Sequence, residues 1–227
     1  MKQGFDSRWW NGIMPADCPY LFGYCKATEG NDFTSQQFGL QMLALQNYGK
    51  LKGAFMFHRQ ASDVIVAVKL FHDVVSALDV PVELPNVADF EDCRATPGLR
   101  LVDHMWATVQ EIEQKFQQEC MIYSAGWWWD RWAKPYVQDR HEFYEKDLWE
   151  ADPPPDTPCG EWGEPVVRQV KLDIIVPGFN AALDENEATD EWYKLYACDK
   201  PEEPECERAK ATLTYSGPVD VEVIRDD

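Results

Sequence analysis

Residues Gly53–Phe90 read GAFMFHRQASDVIVAVKLFHDVVSALDVPVELPNVADF. The opening run, Gly53–His58, is short and apolar and reads as a strand. Across Ser62–Leu78, Val64, Ala67, Val68, Phe71, Val74, Val75 and Leu78 recur near helical spacing and form one wide apolar stripe. A second apolar run, Val82–Phe90, follows. Strand and helix alternating at this rhythm mean βα units and a parallel sheet. Gly4–Asp6, Leu21–Ala27 and Met121–Ser124 are further predicted strands, and Phe33–Tyr48 and Pro97–Gln118 further predicted helices. After about residue 140 the rhythm changes. Leu148–Ala151, Val166–Val170 and Ala181–Leu183 read as strands, but their connections are rich in Pro and Gly and leave little room for helices. Five βα units followed by three strands with few helices predict an α/β protein, an irregular (β/α) TIM-like barrel. A last helix is expected over Ala188–Tyr196. We place the barrel domain at residues 1–198, and an acidic, Pro-containing C-terminal extension at 199–227, a spacer leading to a strand over Val219–Ile224.

The 227 residues carry 21 Lys and Arg against 40 Asp and Glu, a formal charge of −19, yet 45% are apolar and 13% aromatic. That is the composition of a folded chain with a proper core, not of an acidic disordered one. Such a balance argues against nucleic acid bound through a basic surface and against a polybasic membrane anchor. No run approaches the roughly 18 apolar residues of a membrane span, so no membrane insertion is expected. The first residues lack the apolar centre of a signal peptide. Seven cysteines, none spaced C-x-x-C, suit buried thiols in a reduced compartment, although Cys198 and Cys206 flank a short loop and could pair if oxidised. Four isolated histidines make a zinc site improbable, and no P-loop, G-x-G-x-x-G or G-x-S-x-G is present. No metal and no cofactor is therefore expected; the oligomeric state is not readable.

Four acids fall at the C-terminal ends of predicted strands: Asp6, Asp89, Glu91 and Asp184. In a (β/α) barrel that edge gathers catalytic groups from distant parts of the chain. Asp89 and Glu91 are two apart, so strand alternation points both to one face. Two close carboxylates cannot both ionise freely, so one is pushed up and becomes a general acid near neutral pH. Glycoside hydrolysis uses such a pair. Any single acid-x-acid pair is weak in so acidic a chain, and a solvated strand end is the ordinary reading of one.

The flanks of these acids resemble the glycoside hydrolase family 25 lysozymes, the muramidases of phages, bacteria and fungi. Gly4-Phe5-Asp6-Ser7-Arg8-Trp9-Trp10-Asn11-Gly12 is similar to that family's first strand and loop. Tyr24-Cys25-Lys26-Ala27-Thr28-Glu29-Gly30 resembles its second strand, and Gly53-Ala54-Phe55-Met56-Phe57 its third, Gly-Ala-Tyr-His-Phe. Asp89-Phe90-Glu91 falls on the family's Asp-x-Glu, and Met121-Ile122-Tyr123-Ser124 on the strand bearing an active-site Tyr. Leu148-Trp149-Glu150-Ala151 and Leu183-Asp184-Glu185-Asn186 resemble Leu-Trp-x-Ala and Val-Asp-x-Asn. The series runs in order from residue 4 to about 190. Three departures stand out: Met56 in place of His, with His58 two positions on; Pro153 in place of a Tyr; and Arg168-Gln169-Val170 in place of Trp-Gln-Tyr. They are expected to remove sugar-binding groups from the groove while the four acids remain.

The resemblance implies a peptidoglycan-degrading lysozyme that hydrolyses the β-1,4 bond between N-acetylmuramic acid and N-acetylglucosamine, without metal or cofactor. It makes Glu91 the proton donor and Asp89 the stabiliser of the intermediate, with Asp6 and Asp184 completing a negative floor. Substrate-binding candidates are Tyr123, Trp9, Trp10, Trp127, Phe57 and Trp149; the competing reading of Trp127, Trp128, Trp129 and Trp132 is packing between barrel and helices. Lys26 and Glu29 read as a structural ion pair, and Arg59 and His58 as positive groups facing an anionic wall. Peptidoglycan glycan strands are the expected partner, and the expected setting is a phage-encoded or exported protein acting on the bacterial cell wall. The alternatives are a non-catalytic wall-glycan-binding or phage structural module on the same fold, and a barrel hydrolase of another polysaccharide. Residues 1–139 carry a net charge of only −5 and residues 184–227 one of −9, so much of the acidity lies outside the expected groove.

Overall fold

The structure, a computed structural model, describes residues 1–137, 140–151 and 159–197 in full and the backbone of 211–215 and 221–225. It forms two compact units, Met1–Ala197 and Cys198–Asp227. The expectations for Pro153, Cys198 and Cys206 fall outside the described residues.

The first unit is a closed barrel of eight strands: β1 (Lys2–Ser7), β2 (Phe22–Glu29), β4 (Leu51–Phe57), β5 (Val87–Phe90), β6 (Met121–Ala125), β7 (Leu148–Ala151), β8 (Val167–Ile174) and β9 (Leu183–Ala188). A two-residue strand, β3 (Phe33–Thr34), hangs antiparallel on the end of β2. From β1 to β8 every neighbouring pair in the barrel is parallel. Strand β9 runs antiparallel between β8 and β1 and closes the ring. The helices are few: α1 (Phe38–Asn47), α2 (Val64–Ser76), α3 (Leu99–Phe116), the short α4 (Gly126–Trp132) and α5 (Asp190–Ala197). The first crossover holds a 3-10 turn, Trp9–Asn11, in place of a helix. Among the described residues no helix is long and apolar enough to cross a membrane.

The central strands are buried on both faces, which is why apolar residues predominate in them. Inside the barrel, Trp149 packs 4.8 Å from both Tyr24 and Tyr123 and 6.2 Å from Phe55. Glycine makes room for these rings. A Cβ on Gly53 would fall 2.0 Å from the Tyr24 ring, and one on Gly4 2.3 Å from Phe22. Outside, the stripe read from α2 meets the sheet through Ala67, Val68, Phe71 and Val75. Asp63 caps that helix, its carboxylate accepting from the Val66 N–H at 3.1 Å. Asp63→Ala is expected to cost about 1 kcal/mol, measurable as a lower denaturant midpoint at unchanged slope.

Four expectations are corrected. The helix expected from Phe33 starts at Phe38, because Phe33–Thr34 pair with β2. The strand expected from Val82 starts at Val87: Pro85 has no N–H to give a ladder, and Glu83 is bound to Lys52, Oε1 to Nζ at 2.8 Å. The strand expected at Ala181–Leu183 runs Leu183–Ala188, so Asp184 lies near its beginning. In the second unit, Ala211–Tyr215 (β10) pairs antiparallel with Val221–Arg225 (β11), a hairpin where a spacer was expected before the last strand.

Candidate active site

The acids gather because of strand direction. Asp6 and Asp89 sit near the C-terminal ends of β1 and β5, and Glu91 follows β5 directly. Strand β9 is antiparallel, so its beginning lies at this same edge, and Asp184 is the register partner of Asp6. An N-terminal position on a reversed strand does what a C-terminal position does on the others.

Asp6 is buried, and its Oδ2 accepts from Gln169 Nε2 and Asn186 Nδ2, each at 2.9 Å. Gln169 in turn accepts from the Tyr123 hydroxyl at 3.1 Å, and Asn186 from Trp149 Nε1 at 2.8 Å. Asp184 is fixed at Oδ1 by the backbone N–H of Asp173, 2.9 Å, and lies 3.8 Å from Arg8 Nη2. Asp89 is also buried, and its Oδ1 has no hydrogen-bond partner among the described residues.

Burial dominates the electrostatics. It pushes Asp6 up to about 7, helped by Asp184 and opposed by Asn186, Arg8 and Gln169. Burial and then Glu91 drive Asp89 well above the carboxylate range, against Lys26 and Arg8. Glu91 also rises through burial, while Arg8, Lys26 and the Tyr123 hydroxyl pull it down and Asp184 pushes it up. Burial works against the charge on Arg8, yet Asp6, Glu91, Tyr123 and Asp184 around it keep it firmly protonated. Asp6, Asp89 and Glu91 all hold their protons to higher pH than ordinary carboxyls, the direction an acid catalyst requires.

The aromatic candidates separate. Tyr123 is buried at the site. Trp149 is only 2% exposed and lies beneath Tyr123, holding Asn186 without presenting a face to solvent. Phe57 is enclosed by cations, Arg59 at 4.3 Å and Lys26 at 4.6 Å from its ring centre, so its face is already used. Trp9 and Trp10 follow β1 on the 3-10 turn and are 47% and 44% exposed, with Arg8 over the Trp10 ring at 5.5 Å. Trp127 is 57% exposed, whereas Trp128, Trp129 and Trp132 are buried.

Lys26 pairs with Glu29 at 2.7 Å, as expected. The roles expected of Arg59 and His58 are revised: Arg59 pairs with Glu29 and Asp92. His58 turns to the helical layer, where its Nε2 lies 2.7 Å from His104 Nδ1. Burial and His104 hold it down to about 3, so it is neutral. Met56, two residues earlier, shares that outward face, because Phe55 and Phe57 on either side of it point inward. The exchange of His for Met is therefore not a change in the groove. Neither is Arg168, which points outward to Glu150 at 3.4 Å, while Gln169 between the changed residues points in.

Arg8, Gln169 and Asn186 are the site residues that sequence reasoning missed. Two of them carried a readable signal: Arg8 is two residues after Asp6 and Asn186 two after Asp184, each on its acid's face.

The chain and its barrel are similar to known proteins. The family described as Glycosyl hydrolases family 25 matches residues 7–158. No curated protein gave a significant sequence match. Among solved structures, a muramidase from Acremonium alcalophilum is similar with 21% identity and a TM-score of 0.71, over 88% of this chain and 100% of that one. A bacterial lysozyme from Streptomyces coelicolor has 18% identity and a TM-score of 0.71, over 88% and 98%. The catalytic domain of endolysin ply40, from bacteriophage P40 of Listeria monocytogenes, has 13% identity and a TM-score of 0.67, over 87% and 97%. At these identities the structures show a shared fold.

Proposed function

The chain belongs to the glycosyl hydrolases of family 25, and from that premise we propose that it is a muramidase acting on bacterial peptidoglycan. It cleaves the β-1,4 bond between N-acetylmuramic acid and N-acetylglucosamine. The observation that carries this reading is the convergence of Asp6, Asp89, Glu91 and Asp184 around Arg8 at one mouth of the barrel. The substitutions that favour a non-catalytic glycan-binding module lose much of their force, since Met56 and Arg168 face away from that mouth.

Glu91, its pKa raised by burial and Asp184, donates its proton to the glycosidic oxygen as the C1–O bond breaks. Asp89 Oδ1, a buried acceptor with no hydrogen-bond partner among the described residues, takes the N–H of the substrate's acetamido group. In its ionised form, which Lys26 and Arg8 favour, Asp89 is a strong acceptor, so the acetamido oxygen becomes a better internal nucleophile for C1. The acetamido oxygen bonds to C1 as the glycosidic oxygen leaves. Water then attacks C1, the C1–acetamido oxygen bond breaks, and the water's proton goes to the Glu91 carboxylate, which restores the starting state. Asp6, Gln169, Asn186 and Trp149 hold the floor, and Tyr123 positions the acetamido group. Trp9, Trp10 and Trp127 are the exposed rings available to sugar faces. The setting that suits this activity is a phage-encoded or exported enzyme at the cell wall.

The test is the identity of the new chain end. Wall digested by the protein, then reduced with borohydride, should yield muramitol; N-acetylglucosaminitol, or no reducible ends, would overturn the assignment.

Arg8 supplies a pH prediction. It lowers Asp6, Asp89 and Glu91, so Arg8→Met should raise all three. The proton on Glu91 is then lost at higher pH, and the alkaline limb of the kcat/KM profile moves up. A limb that stays or moves down would show that Arg8 does not face the acid catalyst.

A further inference from the structure

Beside the acids, the same barrel edge carries a second depression of about 910 Å³. The chemistry above does not use it. It lies between the end of β2 and the loop after it (Glu29, Asn31, Asp32), the loop after β4 (residues 59–62) and the segment from β5 into the start of α3 (residues 92–100). Its size suits a small ligand.

The walls are braced. Arg59 donates to Glu29 through Nε at 2.8 Å and to Asp92 through Nη1 at 2.7 Å, which joins all three segments. The Gln60 side chain exchanges two hydrogen bonds with the Thr96 backbone, at 2.7 and 3.2 Å. Arg59 and Glu29 are thus occupied with each other. Arg94 and Arg100 are not held in this way. The Arg94 side chain is 71% exposed, with Asp92 at 3.4 Å and Glu29 at 3.9 Å, and Arg100 is exposed with no ion pair among the described residues. Across the depression, Asn31 and Asp32 are exposed. The pocket therefore offers two guanidinium forks, which suit carboxylates, opposite one free carboxylate, which suits an ammonium group.

Position narrows the ligand. Asp92 follows Glu91, so the rim begins about 3.8 Å along the chain from the proposed proton donor. A group attached to the sugar at the scissile bond needs only two or three extended residues, about 7–10 Å, to enter. Muramic acid carries such a group, a short peptide on its lactyl ether with several carboxylates and, in many walls, a free amine. We propose that this pocket binds the stem peptide of the muramic acid at the cleavage point, with Arg94 and Arg100 pairing its carboxylates and Asp32 its amine. This rests on the muramidase reading and adds to it a preference for peptide-bearing over bare glycan.

The experiment is calorimetric titration of the full chain with the N-acetylglucosamine–N-acetylmuramic acid disaccharide, bare or carrying an alanyl-isoglutamyl-diaminopimelate tripeptide. Wild type, Glu91→Gln and the double variant Arg94→Ala/Arg100→Ala are compared. The peptide should tighten binding about tenfold in the first two, the scale expected of two exposed charge pairs. That gain should vanish in the double variant, whose exposed substitutions leave folding and affinity for the bare disaccharide unchanged. An equal gain in all three proteins, or none in wild type, overturns the pocket. The wall digest separates the two ideas: muramitol released without a peptide gain removes only the pocket. Failure to release muramitol removes the muramidase reading, whatever the titration shows.

Discussion

Glu91→Gln is expected to slow release of reducing ends from purified cell walls by about 10²–10⁴-fold, the usual contribution of a positioned general acid. The amide has nearly the shape of the protonated carboxyl but no proton to give. Binding should therefore survive, and the loss should fall on kcat with KM little changed. Stability should not fall either. Burial raises Glu91, so ionising it costs folding free energy as pH rises from the ordinary glutamate value through its folded one. The uncharged amide escapes that cost, and the melting temperature at pH 8 should equal or exceed that of wild type. Equal release by the two proteins would remove Glu91 from the mechanism. A collapsed melting temperature would make the variant uninformative about chemistry, and Glu91→Asp, which keeps the acid but shortens it, should then show the rate loss without the collapse.

Trp149→Ala should be the most damaging change in the barrel interior. The indole is buried and packs on Tyr24, Tyr123 and Phe55, so its removal opens a cavity worth about 3–5 kcal/mol. In a chain of this size that corresponds to roughly 10 °C in melting temperature. It also strips the donor from Asn186 Oδ1, and Asn186 is one of the two side chains that donate to Asp6. Trp149→Phe separates the two effects: most of the volume returns, the N–H does not. The phenylalanine variant should recover more than half of the lost stability while activity stays depressed. If alanine were tolerated with an unchanged melting temperature, Trp149 would have to be a solvent-facing sugar platform after all.

How much of this could be read beforehand depended on what each segment had to bury. Strands lying between neighbours on both sides, such as Met121–Ala125 and Leu148–Ala151, were visible because both faces are covered and the sequence is mostly apolar, the buried Glu150 being held by Arg168 and the Cys159 N–H. Strand β9, with Asp184, Glu185, Asn186 and Glu187 in six residues, was hidden because its polar groups are satisfied by partners far away in sequence, Asp6 and Trp149 among them. Asp184 reached the right edge for a reason other than the expected one: reversal of the strand compensated for a misplaced boundary. The outward turn of His58 and Met56 depends on strand register, which spacing alone does not set. Gln169 lay between two departures from the family pattern, so it was passed over although it faces the site.

The pairing of Asp6 with Asp184 also has a consequence for biosynthesis. The two residues are neighbours across the seam between the first and last strands of the barrel, and nearly the whole barrel chain lies between them. A ribosome-bound chain that has not yet released β9 lacks Asp184 and Asn186, and its Asp6 has only Gln169 to donate to it. Hydrolytic capacity therefore arrives in one step, when the ring closes. Recovery of activity during refolding reports on docking of the last strand, and circular dichroism, which sees the helices, should run ahead of it.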